Sequence, residues 1–338
     1  MFSVWALLHS FADWVLGFCK LCQNREVGWQ TLDRRSGRYR REQQPLWKKF
    51  KLIILFNPLM DWIDSTSIMR LWMHEKTINA GKKEGTLASR SQIKSFVDFF
   101  HINMDDFEPS DISKYQTFEQ FFVRKHKAGA RPIHEASNPS KACVVADSRV
   151  VVYPTMTAAR TLWIKGKHFT IGNLIDNEKA AEPWIDGAVA SFRLSPQDYH
   201  RYHSPVTGTV KWYKRIPGDF YQVDPVCLQS GVDILTRNAR CCVCIDSKEF
   251  GQVLFVAIGA TDVGDVEYVI RPEMQEPGHL VRKGEEVGLF QFGGSSIIVA
   301  FEKGRIEFDD DLATMSRRQI MVDVEVGMSM GSVPPKRV

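Results

Sequence analysis

The sequence predicts an α+β chain: a helical N-terminal region to about residue 136, then a β-rich domain over 137–338. Three observations carry this. In MRLWMHEKTI and SQIKSFVDFF the apolar residues recur three and four apart, the spacing of one helix face. After Ser137 the pattern changes to short runs rich in β-branched residues, such as CVVADSRVVVYP and FGQVLFVAIGA, punctuated by Gly, Pro, Asp and Asn. A chain of 338 residues with 44% hydrophobic content has material for two domains, or one large one, with a sizeable core.

Taken in order, residues 1–16 are rich in Trp, Phe and Leu but carry His9 and Asp13. A central Asp costs about 2.5–3.5 kcal/mol in a spanning helix, and the run is shorter than the ~20 apolar residues a bilayer crossing needs, so an interfacial helix is expected. It lacks the basic start and small-residue cleavage site of a secretory signal. Between Asp33 and Lys51, eight Lys or Arg stand against Asp33 and Glu42, and the apolar run LIILFNPLMDWI follows, with Trp47 and Trp62 near its ends. Such a segment suits an anionic membrane surface, where each cation is worth ~1 kcal/mol. The plainer reading is a solvated linker before a core helix. Residues 1–64 are therefore expected to associate with a membrane and 65–136 to form a helical cap. In the cap, Pro109 and Asp111 break the first helical pattern, and Phe118, Phe121 and Phe122 make a short amphipathic turn before Gly129 and Pro132.

The net charge of +4, from 44 basic and 40 acidic residues, argues against a nucleic-acid partner. Seven cysteines in no regular framework point to reduced thiols. Cys19 and Cys22 form a lone C-x-x-C, and Cys241, Cys242 and Cys244 crowd one strand; zinc would need a second pair at compatible spacing, so no metal is expected.

Three stretches hold residues suited to chemistry. Asp147 falls between two apolar runs, where an Asp ordinarily bonds its own turn. His200 and His203, bracketed by Pro196 and Pro205, read better as an acid/base pair in a cleft than as metal ligands, since no third ligand is evident. In FGGSSIIVAFEKG, the Gly-Gly-Ser-Ser around Ser295 is by itself a turn or bulge. Together, Asp147, His203 and Ser295 supply a carboxylate, a base and a hydroxyl, the minimum set for activating a serine. Just upstream, HLVRKGEEVGLFQFGG, with its Lys-Gly turn, resembles the hairpins of sandwiched barrel folds.

GARPI, ADSRVVVYP, WIKGKHFTI, FRLSPQDYHRYHSPVTG, FVAIGATDVG, VRKGEEVGLFQFGGSSIIVAFEKG and VEVGMSMG resemble, in the same order, the phosphatidylserine decarboxylase family, and most closely its eukaryotic non-mitochondrial branch. The likeness runs from about Gly85 to Gly331. It implies a β-rich catalytic domain of that family's type, made as a precursor that cuts itself at Gly294-Ser295 into a β chain (1–294) and an α chain (295–338). It further implies that Asp147 orients His203, that His203 takes the proton of Ser295, and that the Ser295 hydroxyl attacks the Gly294 carbonyl. The resulting ester eliminates and leaves Ser295 as a pyruvoyl group, the covalent cofactor, with neither PLP nor metal.

Loss of CO₂ from an α-amino acid leaves a carbanion that ordinary side chains cannot stabilise; a ketone that forms a Schiff base with the substrate amine can. His200 is the candidate for carboxylate contact and proton delivery, and Gly293 for close backbone approach. The expected substrate is phosphatidylserine, converted to phosphatidylethanolamine in phospholipid biosynthesis. The expected location is peripheral, on an endomembrane such as Golgi, vacuole or endosome, with homo-oligomerisation left open.

Bacterial and mitochondrial members carry Leu-Gly-Ser-Thr where this chain has Gly-Gly-Ser-Ser, so Ser296 replaces a threonine. Decarboxylation of a free, for example aromatic, amino acid is therefore the competing reading within the same chemistry. Outside that chemistry stand an uncleaved Ser-His-Asp hydrolase, disfavoured because no G-x-S-x-G elbow surrounds Ser295, and a lipid-binding relative that is never cut. Larger members carry C2 or EF-hand modules; with no EF-hand loop in these 338 residues and no room in them for a C2 module, neither is expected.

Overall fold

The computed structural model describes residues 30–41, 83–162, 169–218, 234–259, 269–291 and 295–335. Strands in the first half are β1 (Gln30–Asp33), β2 (Arg38–Arg41), β3 (Phe107–Glu108), β4 (Lys125–His126), β5 (Lys141–Cys143), β6 (Ser148–Tyr153), β7 (Ala188–Leu194), β8 (Arg201–His203) and β9 (Gly208–Ile216). Those in the second half are β10 (Arg240–Ser247), β11 (Gly251–Ile258), β12 (Val269–Ile270), β13 (Leu280–Val281), β14 (Glu286–Leu289), β15 (Ser295–Phe301), β16 (Glu307–Phe308), β17 (Met321–Val324) and β18 (Ser329–Ser332). The helices are α1 (Ser91–Phe100), α2 (Phe118–Phe122), α3 (Met156–Leu162), α4 (Ile171–Ile175), α5 (Ile234–Arg237) and α6 (Asp310–Arg317).

A ten-stranded sheet in the order β13-β9-β10-β11-β15-β7-β6-β17-β1-β2 forms the frame. At its centre, β15 reads SSIIVAF, and every one of its residues is buried. A continuous β-branched and apolar run is what a strand covered on both faces requires. Because side chains alternate, Ile297, Val299 and Phe301 enter one core and Ile298 and Ala300 the other. Each fully buried Ile, Val or Phe is worth about 1.5–3 kcal/mol, so the strand that begins at Ser295 is anchored on both sides.

The first core is closed by a small sheet, β12-β14-β8, through Ile270, Val287 and Tyr202, and by α6 through Leu312. The second is closed by α3, α4 and α5 through Met156, Leu174 and Ile234. The small sheet is what carries the two histidines onto the central sheet. The segment around the Lys-Gly turn is not the sandwich hairpin expected: β13 pairs with β9 in the large sheet, while β14 leaves to pair with β8 and β12.

In the cap, the 3.6-residue period of SQIKSFVDFF yields α1 as expected, ending where His101 turns left-handed. Thr117 caps α2 by accepting from the Gln120 amide at 3.1 Å. Ile93, Tyr115, Phe118, Phe121 and Phe122 form the cap's own core.

The N-terminal expectations meet a different outcome in part. Residues 1–29 and 42–82, with the amphipathic start, the 52–63 run and Cys19 and Cys22, lie outside the described residues. Residues 30–41, expected in a membrane-facing region bounded at 64, instead form the β1–β2 hairpin at an edge of the central sheet, with β1 parallel to β17. Arg34 pairs with Asp309 and Asp311, and Arg35 with Glu325, so part of the basic run is spent on acids of the same chain. Among the described residues no helix is long and apolar enough to cross a membrane.

Candidate active site

Ser295 opens β15 opposite Leu194 of β7. Its side chain is fully buried, and among the described residues its hydroxyl has no hydrogen-bond partner. Ser296, on the opposite face, is satisfied by donating to the Phe192 carbonyl at 2.9 Å. Leaving a buried hydroxyl unbonded costs about 1–3 kcal/mol, a cost more at home at a reactive group than in a structural turn. Gly293 and Gly294 lie outside the described residues.

Pairing ties the histidines to the segment that precedes Ser295, and no hydrogen bond between either ring and the Ser295 hydroxyl is seen among the described residues. β8 runs antiparallel to β14, and the Phe290 amide, just beyond β14 and five residues ahead of Ser295, donates to the His200 carbonyl at 2.9 Å. His200 is fully buried against the Phe122 ring, at 3.8 Å between centroids, with Nδ1 2.9 Å from the Asp198 carbonyl. Arg124, itself buried, donates to the carbonyls of Gln197 and Asp198, so the cap clamps the loop that sets His200. Burial pulls this guanidinium down to about 10.

His203 Nδ1 stands 2.9 Å from the Gly284 carbonyl, and Nε2 stands 3.2 Å from the Tyr199 hydroxyl. Gly284 has φ +80°, and a Cβ there would meet the Ile133 side chain at 2.6 Å, so glycine is what lets this carbonyl face the ring. Burial lowers the His203 pKa below its ordinary value, against the Gly284 bond and the charges of Glu286 and Asp147, which raise it.

Asp147 is not a self-contained turn. It accepts from the Val326 amide at 2.8 Å, from Arg131 at 2.9 Å and from His126 Nε2 at 3.2 Å. Burial would raise its pKa, but the His126 bond and the Arg131 charge outweigh that and hold it at about 2. A cleft of about 700 Å³ reaches Asp147 from the side of the β1–β2 hairpin.

The direct Asp147–His203 hydrogen bond expected from the sequence is therefore absent among the described residues, because the carboxylate is taken by stronger charge-assisted donors. The two side chains share one neighbourhood through Tyr199, whose ring lies 4.0 Å from that of His126 and whose hydroxyl meets His203. His126, Arg131 and Tyr199 were not singled out in the sequence. His126 sits in RKHK, which reads as a solvated basic run, and Tyr199 sits between Asp198 and His200, where it reads as core. Cys241 faces one core while Cys242 and Cys244 face the other, so β10 does not gather the three.

These features mark out one kind of protein: an α+β domain with a buried serine at the head of its central strand whose hydroxyl has no partner among the described residues, a fully buried histidine just before a neighbouring strand and a half-buried one at that strand's end. Comparison with known proteins narrows it. The phosphatidylserine decarboxylase family model matches residues 118–332. A phosphatidylserine decarboxylase proenzyme 2 of Komagataella phaffii is 38% identical over 317 residues, 93% of this chain and 30% of that protein. The rice protein of the same name is 41% identical over 254 residues, 74% and 40% of the two chains. A phosphatidylserine decarboxylase proenzyme of Chlamydia trachomatis is 35% identical over 244 residues, 72% and 78% of the two. The chain belongs to the phosphatidylserine decarboxylase family. It spans roughly a third of the length of the yeast and rice relatives.

Proposed function

We propose that this chain is a self-processing, pyruvoyl-dependent decarboxylase acting on phosphatidylserine at a membrane surface and releasing phosphatidylethanolamine and CO₂. The observation that carries this is the fully buried Ser295 hydroxyl at the head of β15, without a partner among the described residues, in a chain whose relatives are named as proenzymes of that decarboxylase.

In the processing step, His203 takes the Ser295 hydroxyl proton and the oxygen attacks the Gly294 carbonyl. The Gly294–Ser295 amide bond breaks as an ester forms, and the freed amine keeps a proton. Elimination then releases Gly294 as a carboxylate and leaves an enamine, which water converts to the ketone with loss of ammonia. Ser295 fits this fate, since no described group binds its hydroxyl and the surrounding core keeps bulk water away. When formed, the pyruvoyl group supplies the electron sink that decarboxylation needs. His203, neutral at pH 7 because burial lowers its pKa, has a lone pair for the proton. His200, fully buried against Phe122, is assigned the substrate carboxylate contact and the return of a proton to carbon.

Intact-mass measurement tests the reading. The native chain is expected as two pieces, 1–294 and 295–338, the smaller blocked at its N-terminus, and Ser295→Ala as one inactive piece. A native chain that stays whole, or a cut chain that turns over free amino acids but not phosphatidylserine in vesicles, would reject it.

A further inference from the structure

His203 is held at both ring nitrogens. The Gly284 carbonyl can only accept, so Nδ1 is the protonated nitrogen and Nε2 of the neutral ring carries the lone pair. The group beside that lone pair is the hydroxyl of Tyr199, at 3.2 Å, on a ring 4% exposed. The Tyr199 ring lies nearly parallel to that of His203, with an interplanar angle of 26°, and touches His126 on the Asp147 side. The Gly284 carbonyl thus takes the place at Nδ1 that a carboxylate would hold in a Ser-His-Asp set, and Tyr199 stands at the opposite nitrogen.

We infer that Tyr199 is a positioning residue that tunes His203: its hydroxyl donates to Nε2, the one nitrogen able to take the serine proton, and keeps that lone pair engaged until the phenol turns aside for serine. This rests on the self-processing reading for its purpose, although the bond itself does not. A buried phenol is a dependable donor here, since burial, with Glu286 nearby, raises the Tyr199 pKa. The charged and titratable groups facing His203 are Glu286 from β14, Asp147 ahead of β6, and His126 from β4. These remain when the hydroxyl is removed. A hydrogen bond donated to the neutral ring disfavours its protonation, so losing the bond makes the ring easier to protonate.

The test follows His203 in the uncut Ser295→Ala chain, by the nitrogen resonances of its ring during an acid titration, with and without Tyr199→Phe. The phenylalanine keeps the ring contacts and loses the hydroxyl. His203 is expected to titrate about one pH unit higher in the double variant, the size of one hydrogen bond. With native Ser295, the acid limb of processing is expected to move up with it. Coincident titrations would overturn the inference. Should the phenylalanine variant fail to fold, the Ser295→Ala chain decides: protonated Nδ1 with a hydrogen-bonded Nε2 supports the assignment, and protonated Nε2 refutes it. A native chain that is never cut sinks the processing reading and leaves the titration to judge Tyr199.

Discussion

Asp147, at the wall of a cleft, is bonded by Val326, Arg131 and His126, whereas the Ser295 hydroxyl, fully buried in the same domain, has no partner among the described residues. One polar group is saturated with charged donors and the other is surrounded by core. A saturated carboxylate is a fixed support: holding it ionised organises whatever packs around it, but it has little freedom to move toward a distant ring. An unbonded hydroxyl is the opposite, a group whose partner arrives with the reaction. The machinery proposed here is therefore asymmetric, with its rigidity at the acidic end and its reactivity at the serine.

Asp147→Asn puts that asymmetry to its most severe test. It leaves the half-buried Arg131 and His126 beside a neutral amide, and losing hydrogen bonds to a charged group costs about 1.5–3 kcal/mol. The urea midpoint at pH 7 should fall accordingly, with slower processing. Because the folded pKa of Asp147 is about 2, below its unfolded value, the native stability it supplies is full above about pH 4 and is lost as pH falls through 2. Unfolding measured between pH 4 and 2 should show that loss in the native chain and not in Asp147→Asn.

His200→Ala probes the serine end. Processing should persist while turnover drops about 10²–10⁴-fold, the range for losing a general acid; a cut and fully active variant would remove His200 from the chemistry. The smallest effect is expected at the hairpin. Arg40 pairs with Asp33 from a side chain 66% exposed, so Arg40→Ala should change stability by less than about 1 kcal/mol in the same urea titration.

Much of this was legible in the sequence. SQIKSFVDFF becomes α1, and SSIIVAF becomes a strand buried on both faces, because periodicity reports burial directly. The long motifs marked Asp147, His200, His203 and Ser295 as worth placing. What misled was local charge: RRSGRYRR reads as a membrane-facing basic run, yet Arg34 and Arg35 answer Asp309, Asp311 and Glu325, nearly three hundred positions away. His126 was lost for the same reason, since nothing near it in the chain shows that it will meet Asp147.

The order of amino acids was enough to mark which segments are apolar enough to be buried, which side chains are candidates for exchanging a proton, and which family the chain resembles, because side-chain chemistry and spacing are local properties. Folding in three dimensions settled who bonds whom: that Asp147 is claimed by His126 and Arg131, and that Tyr199 stands at the Nε2 of His203. Hydrogen bonds are chosen by distance and charge in the folded state, and strands far apart in sequence become neighbours only when their apolar faces are buried together.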